Sequence, residues 1–352
     1  MSAYSFEAAN YEYVVTRVRH RRASLFDEED YQKLLRMGSG EIARFMEETE
    51  YEREVNELGS RYAGVDLIEY ALNRNLARHF DDLLRWSEGV LYERVARYLR
   101  KFDAWNLKTA LRGVYSEANA DEIADDFIRA GEFDDQYLSR LANAASVEEV
   151  VDLADGTTFG AALEEAESRY EETGMLVPLE NAVDRTYYEG LLENADADPG
   201  GESSRYVQFL QAEIDFRNVR NALRLARSGS DLDPVEYYIE GGRLFRPAEL
   251  RQLVTNTDEL VARLRDSTYG DELDEALDEL EDAESLIGFE HALDAALLEY
   301  ADHLSHVFSL SVSPVLSYVL AKEREVENVR AVARGREAGL TREEIEDELV
   351  IL

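Results

Sequence analysis

The chain has no cysteine, five prolines, two tryptophans and only four lysines, at Lys33, Lys101, Lys108 and Lys322. Without cysteine there is no disulfide, no thiolate metal site and no thiol nucleophile. Scarce proline, runs such as ELDEALDELEDAE and the lack of sustained period-two alternation leave no material for a sheet and point to helix throughout. The longest apolar stretch, near Leu310 to Ala321, is interrupted by serines and Pro314 and is too short to cross a bilayer. The opening MSAYSFEAANYEYVVTRVRHRR is broken by charges and contains no secretory core, so a cytoplasmic chain is expected. Positive charge is in short supply as well, with 38 basic against 76 acidic residues and a net charge of −38. The acids are spread along the chain rather than gathered in a tail. Their mutual repulsion falls away in molar salt, where the Debye length is about 3 Å, which suggests a protein of a salt-accumulating halophile. Such a surface lacks the basic face that nucleic acid requires, so no nucleic-acid partner is expected.

What the chain does have is bulk and repetition. At 352 residues and 45% apolar composition, with twenty tyrosines, it can bury two or three cores of ordinary size. The segment DFRNVRNALRLARSG carries Asn218 where Tyr206, Leu210 and Ile214 trace an apolar helical face. An amide on that face is buried, and burial costs about 1 to 3 kcal/mol unless its donor and acceptor are satisfied. The same arrangement occurs in DAWNLKTALRG and EVENVRAVARG, with Asn106, Asn218 and Asn328 spaced 112 and 110 residues apart. All three copies read acid, two residues, Asn, Leu or Val, Lys or Arg, one residue, Ala or Val, one residue, Arg. The repeated polar positions are therefore Asp103, Asn106 and Arg112; Asp215, Asn218 and Arg224; and Glu325, Asn328 and Arg334.

Further signals accompany the motif. Ahead of each copy lies IEYALN, LENAVD or FEHALD, ending at Asn73, Asp184 and Asp294. After the first two come FDDQYLSRL with TTFG and FRPAELRQL with STYG; Phe26, Tyr31, Leu34, Thr49 and Tyr51 supply the third version near the N-terminus. An interval near ~110 residues is domain duplication, not a solenoid, whose repeats recur at about 20 to 50. Polar linkers at 115–122 and 228–234 divide the chain into similar helical units at 1–117, 118–229 and 230–352. A helix from about Phe6 to Arg22 is expected to pack where a motif helix would and to close the array.

Candidate chemistry is thin. Glu299, His303 and His306 share a helical face, and the pairs Asp81-Asp82, Asp125-Asp126 and Asp134-Asp135 invite comparison with helical enzymes that bind magnesium through aspartates. Acid pairs arise throughout so acidic a chain, and no HExxH or phosphate-binding GxxxxGK(S/T) accompanies them. No metal, cofactor or catalytic group is expected. A metal-dependent helical enzyme is the alternative, but an enzyme needs one pocket of unlike residues, whereas the polar motif recurs in all three units.

The opening Y-x-Y-V-x-x-R-V-R (Tyr11 to Arg19), the three motif helices and the closing KEREVENVRAVARGREAGLTREEIEDELV together resemble the C subunit of archaeal A-type ATP synthases, equivalent to the d subunit of vacuolar ATPases. The resemblance covers essentially the whole chain. It implies an all-α fold of three similar domains in a pseudo-threefold funnel, one end on the membrane proteolipid ring and a cavity at the other for the central shaft. It also implies a non-catalytic rotor subunit, peripheral to the cytoplasmic face of the membrane, that transmits torque. The motif residues then have two readings. The acid and amide tie each helix to an adjacent backbone or helix within its own domain, or Arg112, Arg224 and Arg334 line the funnel and touch the shaft.

Overall fold

A computed structural model describes residues 9–193, 202–228, 233–253, 255–270, 274, 277–278 and 286–350. Among them there is no strand. The helices that organise the molecule are Tyr11–Arg22 (α1), Gly64–Trp86 (α2), Lys101–Tyr115 (α3), Val177–Glu193 (α4), Glu202–Ser228 (α5), Leu286–Val307 (α6) and Ser313–Ala338 (α7). Short helices fill the intervals. Their limits follow from local chemistry: Asp134, Ser146 and Asn256 accept hydrogen bonds from the first-turn amides of the helices that begin after them, and Asn119 and Thr341 form full capping boxes. Helix α7 begins with Pro314 in its first turn and stops at Gly339, whose φ of 78° is left-handed.

The motif helices are α3, α5 and α7, and the helices carrying E-x-A-(L/V) are α2, α4 and α6. Each motif helix packs against the E-x-A helix of the following repeat: α3 on α4, α5 on α6, and α7 on α2. The third contact returns to the first repeat, so the succession closes on itself. The apolar residues of the repeated signals are the ones that reach the core. Ile68, Ala71, Leu72, Leu179, Val183 and Leu293 are buried, as are Leu107, Val219 and Val329 beside the motif amides.

The turns after the motif repeat in detail. The hydroxyls of Thr49, Thr157 and Ser267 donate to the carbonyls of Met46, Ala154 and Leu264 at 2.8, 2.6 and 2.6 Å, and accept from the amides of Tyr51, Phe159 and Tyr269. This local bonding stops the preceding helix and turns an aromatic ring inward; all three rings are buried.

The N-terminal helix differs from expectation. Its described part starts at Tyr11, residues 6–8 lying outside the described residues, and it does not take the place of a motif helix. It lies along α7 and α2 with Val14, Val15 and Val18 buried. The three motif places are already filled, and α1 covers the junction between the last motif helix and the first repeat. The expected linker at 115–122 is a turn at 116–117 and two further non-helical residues followed by the helix Ala120–Asp125; most of 228–234 lies outside the described residues.

Candidate functional site

Each motif asparagine is buried and uses both ends of its amide on one backbone residue. Asn106 Nδ2 donates to the Ile128 carbonyl and its Oδ1 accepts from the Ile128 amide, both at 2.9 Å. Asn218 does the same with Ile239 at 2.9 and 2.8 Å, and Asn328 with Val350 at 2.8 and 3.1 Å. The side chain thus stands in for a strand neighbour, satisfying a peptide that has left helical structure.

The acid one turn earlier holds the chain a few residues further on. Asp103 accepts from the amides of Glu132 and Phe133 at 2.8 and 3.0 Å. Asp215 accepts from the amides of Arg243 and Leu244, both at 2.9 Å, and from the Tyr269 hydroxyl at 3.1 Å. Glu325 accepts from the Phe26 amide at 2.6 Å, the Tyr51 hydroxyl at 2.7 Å and the Lys322 ammonium at 2.6 Å. In the third repeat the clamped segment is therefore assembled from both ends of the chain, Val350 from one and Phe26 from the other. Close approach explains two glycines: a Cβ at Gly131 would lie 2.1 Å from Asp103 Oδ1, and one at Gly242 would lie 2.2 Å from Asp215 Oδ1. At the corresponding place the third repeat has Ser24, and there the acid is the longer Glu325.

Burial dominates the electrostatics of these clamps. It pushes the Asp103 carboxyl up to about 6, against the amides of Glu132 and Phe133, and it also raises Asp215. Lys322 is pulled below the usual ammonium range by burial, with Glu325 opposing.

Arg112, Arg224 and Arg334 occupy one equivalent place. Each pairs with the glutamate of E-x-A on the adjoining helix: Arg112 Nε with Glu180 at 2.5 Å, Arg224 with Glu290 and Arg334 with Glu69. One turn inward, Lys108 pairs with Asp184 at 2.5 Å, Arg220 with Asp294, and Arg330 donates to Asn73 Oδ1 at 2.7 Å. The E-x-A segments and the motifs are thus two halves of one repeated seam. Arg217 and Lys108 hold Asp184 low against its burial, and Arg220 and Arg324 do the same for Asp294.

The three motif helices together line a cavity of ≈ 190 Å³. The repeated arginines are not in its lining. Its walls include the seam pairs Lys108 with Asp184 and Arg220 with Asp294, and, between them, motif-helix positions that differ between copies: Lys101, Trp105, Glu213, Arg217, Glu323 and Glu327. Sequence comparison of the repeats passes over such positions because it registers only what recurs; their signal is a fixed offset from the motif acid.

Two of the three acid pairs, Asp81-Asp82 and Asp134-Asp135, have structural occupations. Asp82 pairs with Arg21 and Arg85, and Asp81 with Arg85 at 2.9 Å; Asp134 caps a helix, and Asp135 pairs with Arg129 at 3.1 Å. His306 lies 3.3 Å from Asp302 rather than on a ligand set with Glu299 and His303. Among the described residues no three His, Asp or Glu side chains converge as metal ligands, and no helix is long and apolar enough to cross a membrane.

Comparison with known proteins bears on what this arrangement belongs to. The sequence model of the ATP synthase (C/AC39) subunit matches residues 14–348. The chain is 64% identical to the C subunit of the A-type ATP synthase of Haloferax volcanii over 344 residues, 98% of each chain. It is 60% identical to the same subunit of Halobacterium salinarum over 346 residues, again 98% of each chain. Identity to the A-type ATP synthase C subunit of Methanococcoides burtonii is 36% over 349 residues, 99% of this chain and 96% of that one. By its matched length and by these identities, the chain belongs to the ATP synthase (C/AC39) subunit family.

Proposed function

We propose that the chain is a non-catalytic rotor subunit of an A-type ATP synthase, seated between the central shaft and the membrane proteolipid ring. In this reading the units 1–117, 118–229 and 230–352 are three domains around one axis. The cavity between their motif helices receives the end of the shaft, the opposite end rests on the ring, and the subunit lies at the cytoplasmic face of the membrane. The observation that carries the reading is the closed succession of contacts, α3 on α4, α5 on α6 and α7 on α2, with a cavity lined by all three motif helices.

A torque link must resist sliding and tilting, and both resistances grow with the breadth of a complementary interface; stable ones bury about 1,200 to 2,000 Å². In molar salt an exposed ion pair is screened over about 3 Å, so the hold on shaft and ring rests on apolar and hydrogen-bonded contacts. No ATP is bound or hydrolysed by this chain in the reading. Its contribution is stiffness, supplied by the seams and by the buried clamps that fix each motif helix to its neighbouring turn.

Crosslinking of the intact membrane complex in molar KCl, followed by peptide mapping, tests the placement. Links from this chain to both a shaft subunit and the proteolipid are expected. Links confined to stationary subunits would overturn it.

A further inference from the structure

The cavity is threefold in position but not in residue. Lys101, Glu213 and Glu323 occupy one equivalent place, two residues before the motif acid; Trp105, Arg217 and Glu327 occupy another, one residue before the motif asparagine. All six line the cavity. In the first layer Lys101 bonds Glu323 at 2.7 Å. Glu213, only 6% exposed, accepts from the Tyr188 hydroxyl through Oε1 at 3.3 Å, while its Oε2 has no partner among the described residues. In the second layer Trp105 is 41% exposed, Arg217 reaches the Tyr188 hydroxyl at 3.3 Å, and Glu327 pairs with Arg324 at 3.0 Å. One indole, one cation and one anion thus face a common space from three corresponding helix positions.

A socket of three identical walls would accept an asymmetric insert in three orientations of equal energy. A shaft free to choose among them slips by a third of a turn without loss of contact, and torque is lost with it. Unlike walls remove the degeneracy, because only one orientation sets each wall against a matching group; the other two oppose like charges or leave a charge buried and unpaired. Elsewhere the repeats conserve their polar positions closely, in the clamps and in most of the seam. The divergence at the cavity is therefore not general drift of the motif helices.

We propose that these unlike residues fix the rotational register of the shaft, admitting its end in one orientation, with a donor group of the shaft reaching Glu213 Oε2. The inference rests on the reading of the cavity as the shaft's socket. The group facing Glu213 is basic or hydroxyl-bearing, that facing Arg217 is acidic or a carbonyl, and that facing Trp105 is apolar.

The absence of cysteine from the chain makes the test direct. Thr109, Asn221 and Ala331 are equivalent, half-buried and one turn beyond the Trp105, Arg217 and Glu327 layer. Three single variants, Thr109→Cys, Asn221→Cys and Ala331→Cys, are each assembled with a shaft carrying one cysteine at its tip and oxidised in molar KCl. One of the three should crosslink at least about tenfold more than either other, a preference of about 1.4 kcal/mol. Exchanging two walls, with Trp105→Glu and Glu327→Trp together, should even the three yields while co-purification shows the shaft still bound. Should the double variant misfold by circular dichroism, Glu213→Gln replaces it, and the same loss of preference is expected.

Equal yields in the parent chain, or an unchanged preference in a folded variant that still binds the shaft, would overturn the register proposal and leave the socket standing. A parent chain that captures no shaft would overturn the socket, and the register with it.

Discussion

Arg334 in α7 lays its guanidinium against both carboxylate oxygens of Glu69 in α2, a residue 265 positions earlier in the chain. The pair joins the last repeat to the first, as Arg112 with Glu180 and Arg224 with Glu290 join the others. Position along the seam sets its worth. The Arg334 side chain is 60% exposed, and an exposed pair contributes at most about 1 kcal/mol, less in salt. One turn inward, Asp294 lies between Arg220 and Arg324 and is mostly buried. Arg334→Gln should therefore shift chemical unfolding in molar KCl by less than about 1 kcal/mol, and Asp294→Asn, which leaves two cations facing each other, by about 3 to 5 kcal/mol. Equal effects would contradict this ranking.

Asn218 satisfies both backbone polar groups of Ile239, the amide and the carbonyl. Asn218→Ala leaves that amide and carbonyl buried without partners, at about 1 to 3 kcal/mol. Thermal unfolding at high salt should show the loss, and amide hydrogen exchange should show Ile239 exchanging faster while Ile128 and Val350 keep their protection. An unchanged midpoint with unchanged exchange at Ile239 would show the amide to be idle.

Acid should act on the two kinds of buried carboxylate with opposite sign. Burial would raise Asp294, but Arg220 and Arg324 hold it below its ordinary value. Its contribution is fully present above the unfolded value of about 3.9 and is lost as pH falls below that. Burial raises Asp103 to about 6. Between the unfolded value of about 3.9 and that folded value, the native chain keeps a proton that the unfolded chain has released, so Asp103 favours the fold less as pH rises. Relative to Asp103→Asn, the wild type should lose on the order of 2 kcal/mol between pH 4 and pH 7. Parallel stability curves for the two chains would contradict the raised Asp103.

The net charge of −38 sets the salt response. Lowering KCl from molar to about 50 mM lengthens the screening distance from about 3 Å to more than 10 Å, and the carboxylates then repel across the whole surface. The unfolding midpoint should fall steeply over that range. Full stability at the low-salt end would remove the halophilic interpretation of the composition.

The helices and the existence of the clamps were legible because their residues recur, but the tie expected within each unit is not what forms: Asn106 reaches Ile128 and Asn218 reaches Ile239, each in the next unit along the chain. Asn106, Asn218 and Asn328 announce themselves by interval and by sitting on an apolar face, and a buried amide demands a partner even when that partner cannot be named. Phe26 and Tyr51 match later repeats in sequence, but that they complete the last motif through Glu325 is visible only in the structure. Two features were hidden for physical reasons. A linear sequence gives intervals but not adjacency, so the E-x-A glutamates and the motif arginines were both visible while their pairing across successive repeats was not. The cavity walls at 101, 105, 213, 217, 323 and 327 differ from copy to copy, and a search for sameness passes over them. From sequence alone helix α1 reads as a stand-in for a motif helix; packing against α7 and α2 gives it another place.

In the proposed role the chain couples catalysis to transport without itself catalysing anything. ATP-driven ion uptake by membrane vesicles depleted of the chain, measured alongside their ATP hydrolysis in molar salt, tests it most directly. Hydrolysis should continue, uptake should stop and return when the purified chain is added back, and hydrolysis in the depleted vesicles should no longer respond to inhibitors of the proteolipid ring. Ion uptake that persists after complete removal of the chain would contradict it.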